Sequence, residues 1–208
     1  MRKTLASIIL ILPFVINAQI LEVAGIQEGI WNYDTIFVID DIIIPKDKSL
    51  TIAEGTRVVF QDHYSITIMG SLKALGQKND SIYFTSIDTT GFLKWKKEIG
   101  GWNGLIFQDV NDTVILDYCH FSFGKATNAQ YLAHGGALRI YNANSVIISN
   151  STFYHNLTTS KGGALYAENS NLNIFNCEVD SNFGFNEEGV YMHGAGFQFN
   201  NCNVKMEN

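Results

Sequence analysis

The chain has 208 residues, a formal net charge of −6 and three cysteines. This length allows one domain with a substantial core. The acidic balance makes the surface as a whole a poor match for nucleic acid or anionic lipid. The odd number of cysteines argues against a disulfide framework.

The first 18 residues predict a secretory signal peptide. Arg2 and Lys3 precede an apolar run from Leu5 to Ile16, and Ala18 supplies the small residue of a cleavage site. This run is shorter than the roughly 18 residues that a membrane-spanning helix needs, and no later segment predicts a transmembrane helix. Cleavage removes two basic residues and no acidic one, which changes the formal net charge from −6 to −8.

Short alternating apolar segments begin after Tyr33 and predict strands. Their starts follow one another too closely to leave room for intervening helices. They fit either antiparallel hairpins or coils that add a new strand to each face. The segments are Ile36–Val38, Ile42–Ile44, Leu50–Ile52, Val58–Phe60, Ile66–Ile68, Leu72–Ala74 and Ile82–Phe84.

The second half of the chain repeats with a period of roughly 26 residues, which is typical of a solenoid. We align as copies of one strand Val114-x-Leu116, Val146-x-Ile148, Leu172-x-Ile174 and Phe197-x-Phe199. Like residues then stack between coils. The alignment predicts a turn ladder of Asn150, Asn176 and Asn201, and a file of small residues made of Cys119, Ser151, Cys177 and Cys202.

The cysteines in this file are predicted to pack as small apolar groups. The same alignment leaves open a bridge between Cys177 and Cys202, with Cys119 free. No Cys-x-x-Cys or Cys/His cluster indicates a metal site.

Glycine-led segments precede the repeated strands. The octads GGALRIYN, which begins at Gly135, and GGALYAEN, which begins at Gly162, follow nearly the same period, and Gly189-Val190-Tyr191 is aligned as a divergent third copy. A Cβ at Gly136 or Gly163 is expected to crowd the neighbouring coil.

These octads occur together with F-x-x-N segments at Phe153–Asn156 and, more weakly, Val179–Asn182. The combination resembles the GGA[IL] and FxxN repeats of bacterial polymorphic outer-membrane proteins and related autotransporter-like adhesins. The segments LTIAEGTRVVF, GSLKALG and GWNGLIF, which begin at Leu50, Gly70 and Gly101, resemble the opening coils of secreted bacterial right-handed parallel β-helix proteins. The resemblance implies a secreted protein or one at the outer-membrane surface of a Gram-negative bacterium.

We therefore predict an all-β fold, a right-handed parallel β-helix (solenoid) with about 22 to 27 residues per coil. Residues 1–18 form the signal peptide, 19–33 an N-terminal cap and 34–208 the β-helix. A β-sandwich is the alternative, but it does not require same-face ladders at a fixed period. Because a strand at Val204 is followed by no capping helix, we expect missing C-terminal coils or cap, or end-to-end stacking on another chain.

The residues that differ between the two GGAL copies define the first candidate binding site. If the leucine and isoleucine of LRIY point inward, Arg139 and Tyr141 face outward beside Tyr166 and Glu168 of the next coil. Such side chains can bind a sugar through aromatic stacking and charged hydrogen bonds. The alternative is an ordinary solvated strand face.

The segment TTGFLKWKKEIGG, from Thr89 to Gly101, interrupts the strand pattern. Its apolar and basic residues, among them Trp95 and Lys96, are unusual in an acidic protein and predict contact with a partner, because loops on rigid scaffolds often carry binding. The alternative is that Leu93 and Trp95 pack the loop against a coil.

No sequence motif indicates a cofactor, a metal or a catalytic residue. Asp109-x-Asn111-Asp112 brings oxygen ligands close together but matches neither the EF-hand nor the calcium-binding nonapeptide, so calcium is only weakly indicated. The absence of HExxH and GxSxG leaves zinc and serine-triad chemistry without local support.

The leading functional hypothesis is a non-enzymatic adhesion or binding protein that contacts glycans or surface proteins. It rests on the export signal, the repeats and the lack of a convergent catalytic cluster. The second hypothesis, a polysaccharide lyase or glycoside hydrolase, requires two or three carboxylates to converge with Arg or Lys in one groove. A structural spacer is the third, and uniformly polar outward faces with short loops would favour it.

Overall fold

A computed structural model describes residues 18–127, 133–185 and 196–207, and these residues form an all-β fold without a helix. Residues 1–17, which belong to the predicted signal peptide, lie outside the described residues. Accordingly, the described part of the chain offers no helix that is long and apolar enough to cross a membrane.

The strands form three sheets in which parallel strands stack coil on coil. The largest sheet is folded at β3 (Thr35–Ile44), whose first part pairs with β5 (Arg57–Phe60) and whose last part pairs with β6 (Ile66–Ile68). The largest sheet therefore has two arms that meet at β3. In addition, β1 (Ile20–Ile26) pairs with β3.

The β11 face is the arm that contains β5, β8 (Ile82–Ser86), β11 (Cys119–Ser122), β15 (Thr152–Tyr154) and β19 (Glu178–Asp180). The β13 face is the arm that contains β6, β9 (Leu105–Gln108), β13 (Leu138–Tyr141), β17 (Leu165–Glu168) and β21 (Phe197–Asn200).

The β14 face is the seven-stranded sheet of β2 (Gly29–Trp31), β4 (Ser49–Ile52), β7 (Ser71–Leu75), β10 (Thr113–Asp117), β14 (Ser145–Ser149), β18 (Asn171–Phe175) and β22 (Asn203–Glu207). A small sheet of β12 (Lys125–Ala126), β16 (Leu157–Thr158) and β20 (Phe183–Gly184) lies along the chain between the β11 and β13 faces.

Equivalent residues of successive coils lie side by side. Leu50 pairs with Leu72, and Val146 pairs with Leu172, so the first of these coils is shorter than the second. Loops inserted between the β11 and β13 faces lengthen other coils. This parallel stacking excludes the antiparallel hairpins and is compatible with a β-solenoid.

Inward side chains fill one continuous core. Leu138 and Ile140 belong to it and are fully buried, as the alternation of LRIY predicts. Phe84, Phe121 and Phe153 stack along the coils with ring centroids 5.0 and 4.9 Å apart. Stacked aromatic pairs of this kind contribute about 0.5–1.5 kcal/mol each beyond their buried area.

The predicted alignment of the last coil is wrong. Phe197 and Phe199 pair with Leu165 and Ala167 on β17, and the strand that continues β18 is β22, where Val204 pairs with Leu172. The cause is the long connection between β20 and β21, which shifts the last coil out of the repeat period. The predicted third glycine, Gly189, lies in that connection and outside the described residues.

Two ladders change with this alignment. Cys119, Ser151 and Cys177 stack as predicted, whereas Cys202 follows Ser170. All three cysteines are free, so no bridge joins Cys177 to Cys202.

The asparagine ladder is corrected in the same way. Asn176 donates to Asn150 as predicted, over 3.3 Å, but Asn201 donates to Asn169, over 2.6 Å. These four residues have φ between 49 and 51°. Asparagine tolerates this left-handed conformation better than most other non-glycine residues, which explains its recurrence at the turns.

The glycines of the octads are required by backbone geometry. Gly135 and Gly162 have φ of 58 and 64°, and a Cβ on Gly136 would lie 2.4 Å from the carbonyl oxygen of Gly163. The predicted crowding between coils at Gly136 is therefore confirmed.

Candidate functional site

The structure brings the four residues of the first candidate site together on the β13 face. Arg139 pairs with Tyr166, and Tyr141 pairs with Glu168 on the next coil. The predicted register is confirmed, but the four side chains differ in exposure.

Arg139 is buried rather than exposed, with 2% of its surface accessible. Its Nη2 donates to the backbone oxygen of Asn103 and to Asn103 Oδ1, the latter over 2.7 Å. Asn103 follows Trp102, which is held in the core by an indole hydrogen bond of 2.7 Å to the Ser122 carbonyl. Burial lowers the pKa of Arg139 to about 10, so the guanidinium stays charged at neutral pH.

Tyr166 is likewise 2% exposed. Its hydroxyl donates to Glu168 Oε2 over 2.9 Å, and its ring centroid lies 4.3 Å from that of His134. Burial, and then the hydrogen bond to Glu168, raise the pKa of Tyr166 to about 12. Arg139 and Tyr166 are therefore the buried residues of the patch, and they lie on the same face as the more accessible Tyr141 and Glu168.

The accessible part consists of Tyr141 and Glu168, which are both half-buried. The Tyr141 hydroxyl oxygen is itself buried and has no hydrogen-bond partner within the described residues. Burial raises the pKa of Tyr141, so it is a neutral phenol at neutral pH. A buried hydroxyl without a partner costs about 1–3 kcal/mol, which a ligand that bonds to it would recover.

The loop from Thr89 to Gly101 is folded against the small sheet. Phe92 is buried and meets the Phe123 ring edge-on at 5.4 Å, while Trp95 is half-buried and stacks on Phe185 at 6.2 Å. Lys96 Nζ lies 4.4 Å from the Trp95 ring centroid. Leu93, which the packing alternative places against a coil, is instead 50% exposed.

Lys125 fixes this loop and was missed at the sequence level. It is fully buried, and its Nζ donates to the carbonyl oxygens of Ile99 at 2.7 Å, Lys94 at 3.2 Å and Gly91 at 3.4 Å. Burial lowers the pKa of Lys125 to about 8. A sequence signal did exist, because this lysine occupies the repeat position that Leu157 takes in the next coil.

His63 connects the loop with the first candidate site. Its Nε2 lies 2.8 Å from the Lys125 carbonyl oxygen. Burial lowers the pKa of His63; the hydrogen bond with the Lys125 backbone opposes this shift most, Glu98 of the loop opposes it less, and Arg139 adds to it. The two candidate sites are therefore neighbours at one corner of the coils.

A second row of outward rings lies on the β11 face and was also missed. The guanidinium of Arg57 lies 5.1 Å from the Tyr83 ring, which stacks on His120 at 4.7 Å. Tyr83 is nevertheless 38% exposed. Tyr154, which is 45% exposed, lies between Ser122 and Asp180 in the same face.

The described residues contain no cluster of three or more His, Cys, Asp or Glu side chains that could hold a metal ion. Asp109, the first residue of the weak calcium motif, accepts a hydrogen bond of 2.8 Å from Asn142. Among the described residues, Glu168 is the carboxylate of the first candidate site.

Comparison with models of known protein families, with curated proteins and with solved structures finds no match for this chain.

Proposed function

We propose that this chain is a right-handed β-helix of the secreted or cell-surface class that binds glycans or other surfaces without catalysis. The parallel stacking of coils, the export-type N-terminus and the GGAL and FxxN repeats support this class. Right-handed connection is the general preference of parallel strands in one sheet.

The observation that carries the proposal is the buried Tyr141 hydroxyl, which has no hydrogen-bond partner among the described residues and belongs to the residue that pairs with Glu168 on the next coil. Because the Tyr141 hydroxyl oxygen is covered in the free protein, a sugar reaches it only when the side chains around it shift. The sugar hydroxyl then accepts a hydrogen bond from the phenol and donates one to the Glu168 carboxylate. The Tyr166 hydroxyl donates to Glu168 Oε2 and so orients that carboxylate before a ligand arrives. Arg139 is held separately, by Asn103.

The same geometry favours binding over hydrolysis or elimination. A glycosidase commonly needs two carboxylates that flank the scissile bond, and a lyase needs a base that reaches the sugar. In the described part of the patch one carboxylate is present, and the neighbouring arginine is buried against Asn103.

Glycan-array binding of residues 19–208 tests the proposal. We expect Tyr141→Phe, which retains the ring and removes the hydroxyl, to weaken binding about tenfold, and Glu168→Gln to weaken it by a similar factor. The matched controls are Tyr154→Phe and Glu178→Gln, which change exposed residues of the β11 face.

Equal losses in the site variants and the controls would contradict the assignment of the site. Release of unsaturated sugars from uronic-acid polymers by the unmodified protein would overturn the non-enzymatic proposal.

A further inference from the structure

The loop from Thr89 to Gly101 has a fixed conformation. Backbone hydrogen bonds of 2.8 Å from Lys94 to Gly91 and 2.9 Å from Lys97 to Lys94 close it internally. The Lys125 ammonium binds three of its carbonyl groups, and Phe92 is buried beneath it. The outward residues of the loop are therefore held in place before any partner arrives.

Those outward residues combine positive charge with aliphatic surface. Lys94, Lys96 and Lys97 are exposed, and Leu93 and Ile99 are 50% and 41% exposed. The two ion pairs that the described residues form, Lys48–Glu28 and Lys205–Glu207, lie elsewhere and involve none of the three loop lysines.

The charge of the loop is opposite to that of the whole chain. Three lysines, at positions 94, 96 and 97, and one exposed glutamate, Glu98, give the loop a formal charge of +2 in a chain whose formal net charge is −6. Surface charges more than about 8 Å apart are largely screened at physiological ionic strength, so a partner that contacts the loop meets mainly the lysines. The partner that complements this surface is anionic.

The composition of the loop favours a bilayer over a soluble polymer. The central stretch GFLKWKK, from Gly91 to Lys97, contains no amide, hydroxyl or carboxylate side chain, which are the groups that commonly bond to sugar hydroxyls, and Thr89, Thr90 and Glu98 lie only at the ends of the loop. Lysine next to leucine and tryptophan is instead the combination found in segments that bind the membrane interface.

We propose that this loop docks the protein peripherally on a lipid bilayer that carries anionic headgroups. Lys94, Lys96 and Lys97 contact the headgroups, and Leu93 enters the interface between them. Lys125 is a positioning residue, because it holds the loop through backbone carbonyls and does not reach the lipid. The docking does not depend on the glycan site at Tyr141 and Glu168.

Sedimentation of residues 19–208 with lipid vesicles tests this proposal. We expect binding to phosphatidylcholine vesicles that contain about one-third phosphatidylglycerol, no binding to phosphatidylcholine alone, and weaker binding as salt rises. The fluorescence of Trp95 provides a second readout and should shift to the blue, since the other two tryptophans, Trp31 and Trp102, are 2% and 0% exposed.

Variants assign the binding to the loop. Replacing Lys94, Lys96 and Lys97 by Gln should weaken vesicle binding on the order of 100-fold, or about fivefold per lysine. Leu93→Ser should weaken it about tenfold. The matched control replaces Lys46, Lys73 and Lys78 by Gln, which changes the net charge equally at exposed positions elsewhere.

The docking proposal is overturned if the control variant loses as much binding as the loop variant, or if the unmodified protein ignores anionic vesicles. Loop-dependent binding of soluble polygalacturonate without vesicle binding would also overturn it. Tyr141→Phe should leave vesicle binding unchanged, so the two proposals can fail separately.

Discussion

Lys125 is a buried ammonium that is balanced by dipoles instead of a carboxylate. Three carbonyl oxygens of the loop accept hydrogen bonds from it, and burial lowers its pKa to about 8. Removing an ion from water is costly, and hydrogen bonds to carbonyls offset only part of that cost. The contribution of Lys125 to the free energy of unfolding should therefore depend on pH, whereas that of an exposed lysine should not.

Lys125→Met tests this at the level of one residue. Between about pH 8 and the ordinary lysine pKa of 10.5, the unfolded chain binds more protons than the folded one. The free energy of unfolding of the unmodified protein should thus rise relative to that of the variant, by at most about 1.4 kcal/mol per pH unit.

Urea unfolding of both proteins at about pH 7 and about pH 10 measures the change. Lys73→Met, at an exposed position, is the control and should show no such trend. A stability difference that stays constant with pH, or that moves in the opposite direction, would contradict the account.

The direction of a side chain could be predicted from the sequence, but its exposure could not. The alternation in LRIY places Leu138 inward and Arg139 outward, and both placements are confirmed. Arg139 is nevertheless buried, and its guanidinium is bound by Asn103, which precedes β9 in the previous coil. Period-2 patterns describe one strand and carry no information about loops that fold over it.

At the scale of the element, the asparagine of FxxN connects consecutive coils. Asn156 Oδ1 accepts a hydrogen bond of 2.9 Å from the Gly124 N–H, and its Nδ2 donates to the Phe121 carbonyl over 3.0 Å. Asn182 repeats the arrangement one coil later, with the Asn156 N–H and the Phe153 carbonyl, both at 2.9 Å.

Asn156→Ala should lower the free energy of unfolding by at least about 2 kcal/mol, because it leaves a buried donor and a buried acceptor unpaired. Asn182→Ala removes the same bonds at a half-buried position, where water can replace them, and should cost less. Urea unfolding measures both variants. A larger loss of unfolding free energy in Asn182→Ala than in Asn156→Ala would contradict the view that burial decides how much these equivalent hydrogen bonds contribute.

The error in the predicted alignment of the last coil has a physical explanation at the scale of the element. The repeat period fails where a long connection enters a coil, because loop length is constrained less than strand stacking. The repeated turn motif Asn-x-Asn would have given the correct alignment, since Asn169-Ser170-Asn171 continues as Asn201-Cys202-Asn203. Polar turn residues were more informative than apolar ones here.

At the scale of the whole molecule, the stack divides the three thiols by exposure. Cys119 is fully buried, whereas Cys177 and Cys202 are half-buried. Burial raises the pKa of Cys119 well above its ordinary value and also raises that of Cys177. The reactivity of the thiols should therefore decrease from Cys202 to Cys177 to Cys119.

Alkylation with iodoacetamide at about pH 8, followed by mass spectrometry, should modify Cys202 first and Cys177 next. Cys119 should react only when the central coils unfold, and its rate should rise with urea. If Cys119 reacted in the native protein as rapidly as Cys202, the coils would have to open individually and the core would not unfold as one unit.

The parallel stack and its continuous core could be predicted because equivalent residues repeat along the chain. The covering loops could not, since each occurs once. Lys125, Trp95 and Phe185 form a local arrangement that has no counterpart in the other described coils. Sequence repetition therefore predicts the scaffold, while the candidate binding surfaces arise from the residues that do not repeat.

The column formed by Asp109, Asn142, Asn169 and Asn201 has a single electrical polarity. A carboxylate only accepts, so Asn142 must turn its NH₂ group towards Asp109, at 2.8 Å, and its oxygen towards the next coil. Asn169 and then Asn201 are forced into the same orientation, at 3.4 and 2.6 Å. Asp109 thus gives the side-chain amides of the three asparagines in the column one common dipole direction. Its negative charge lies at the donor end of this row of dipoles, as an anion does at the amino end of a helix.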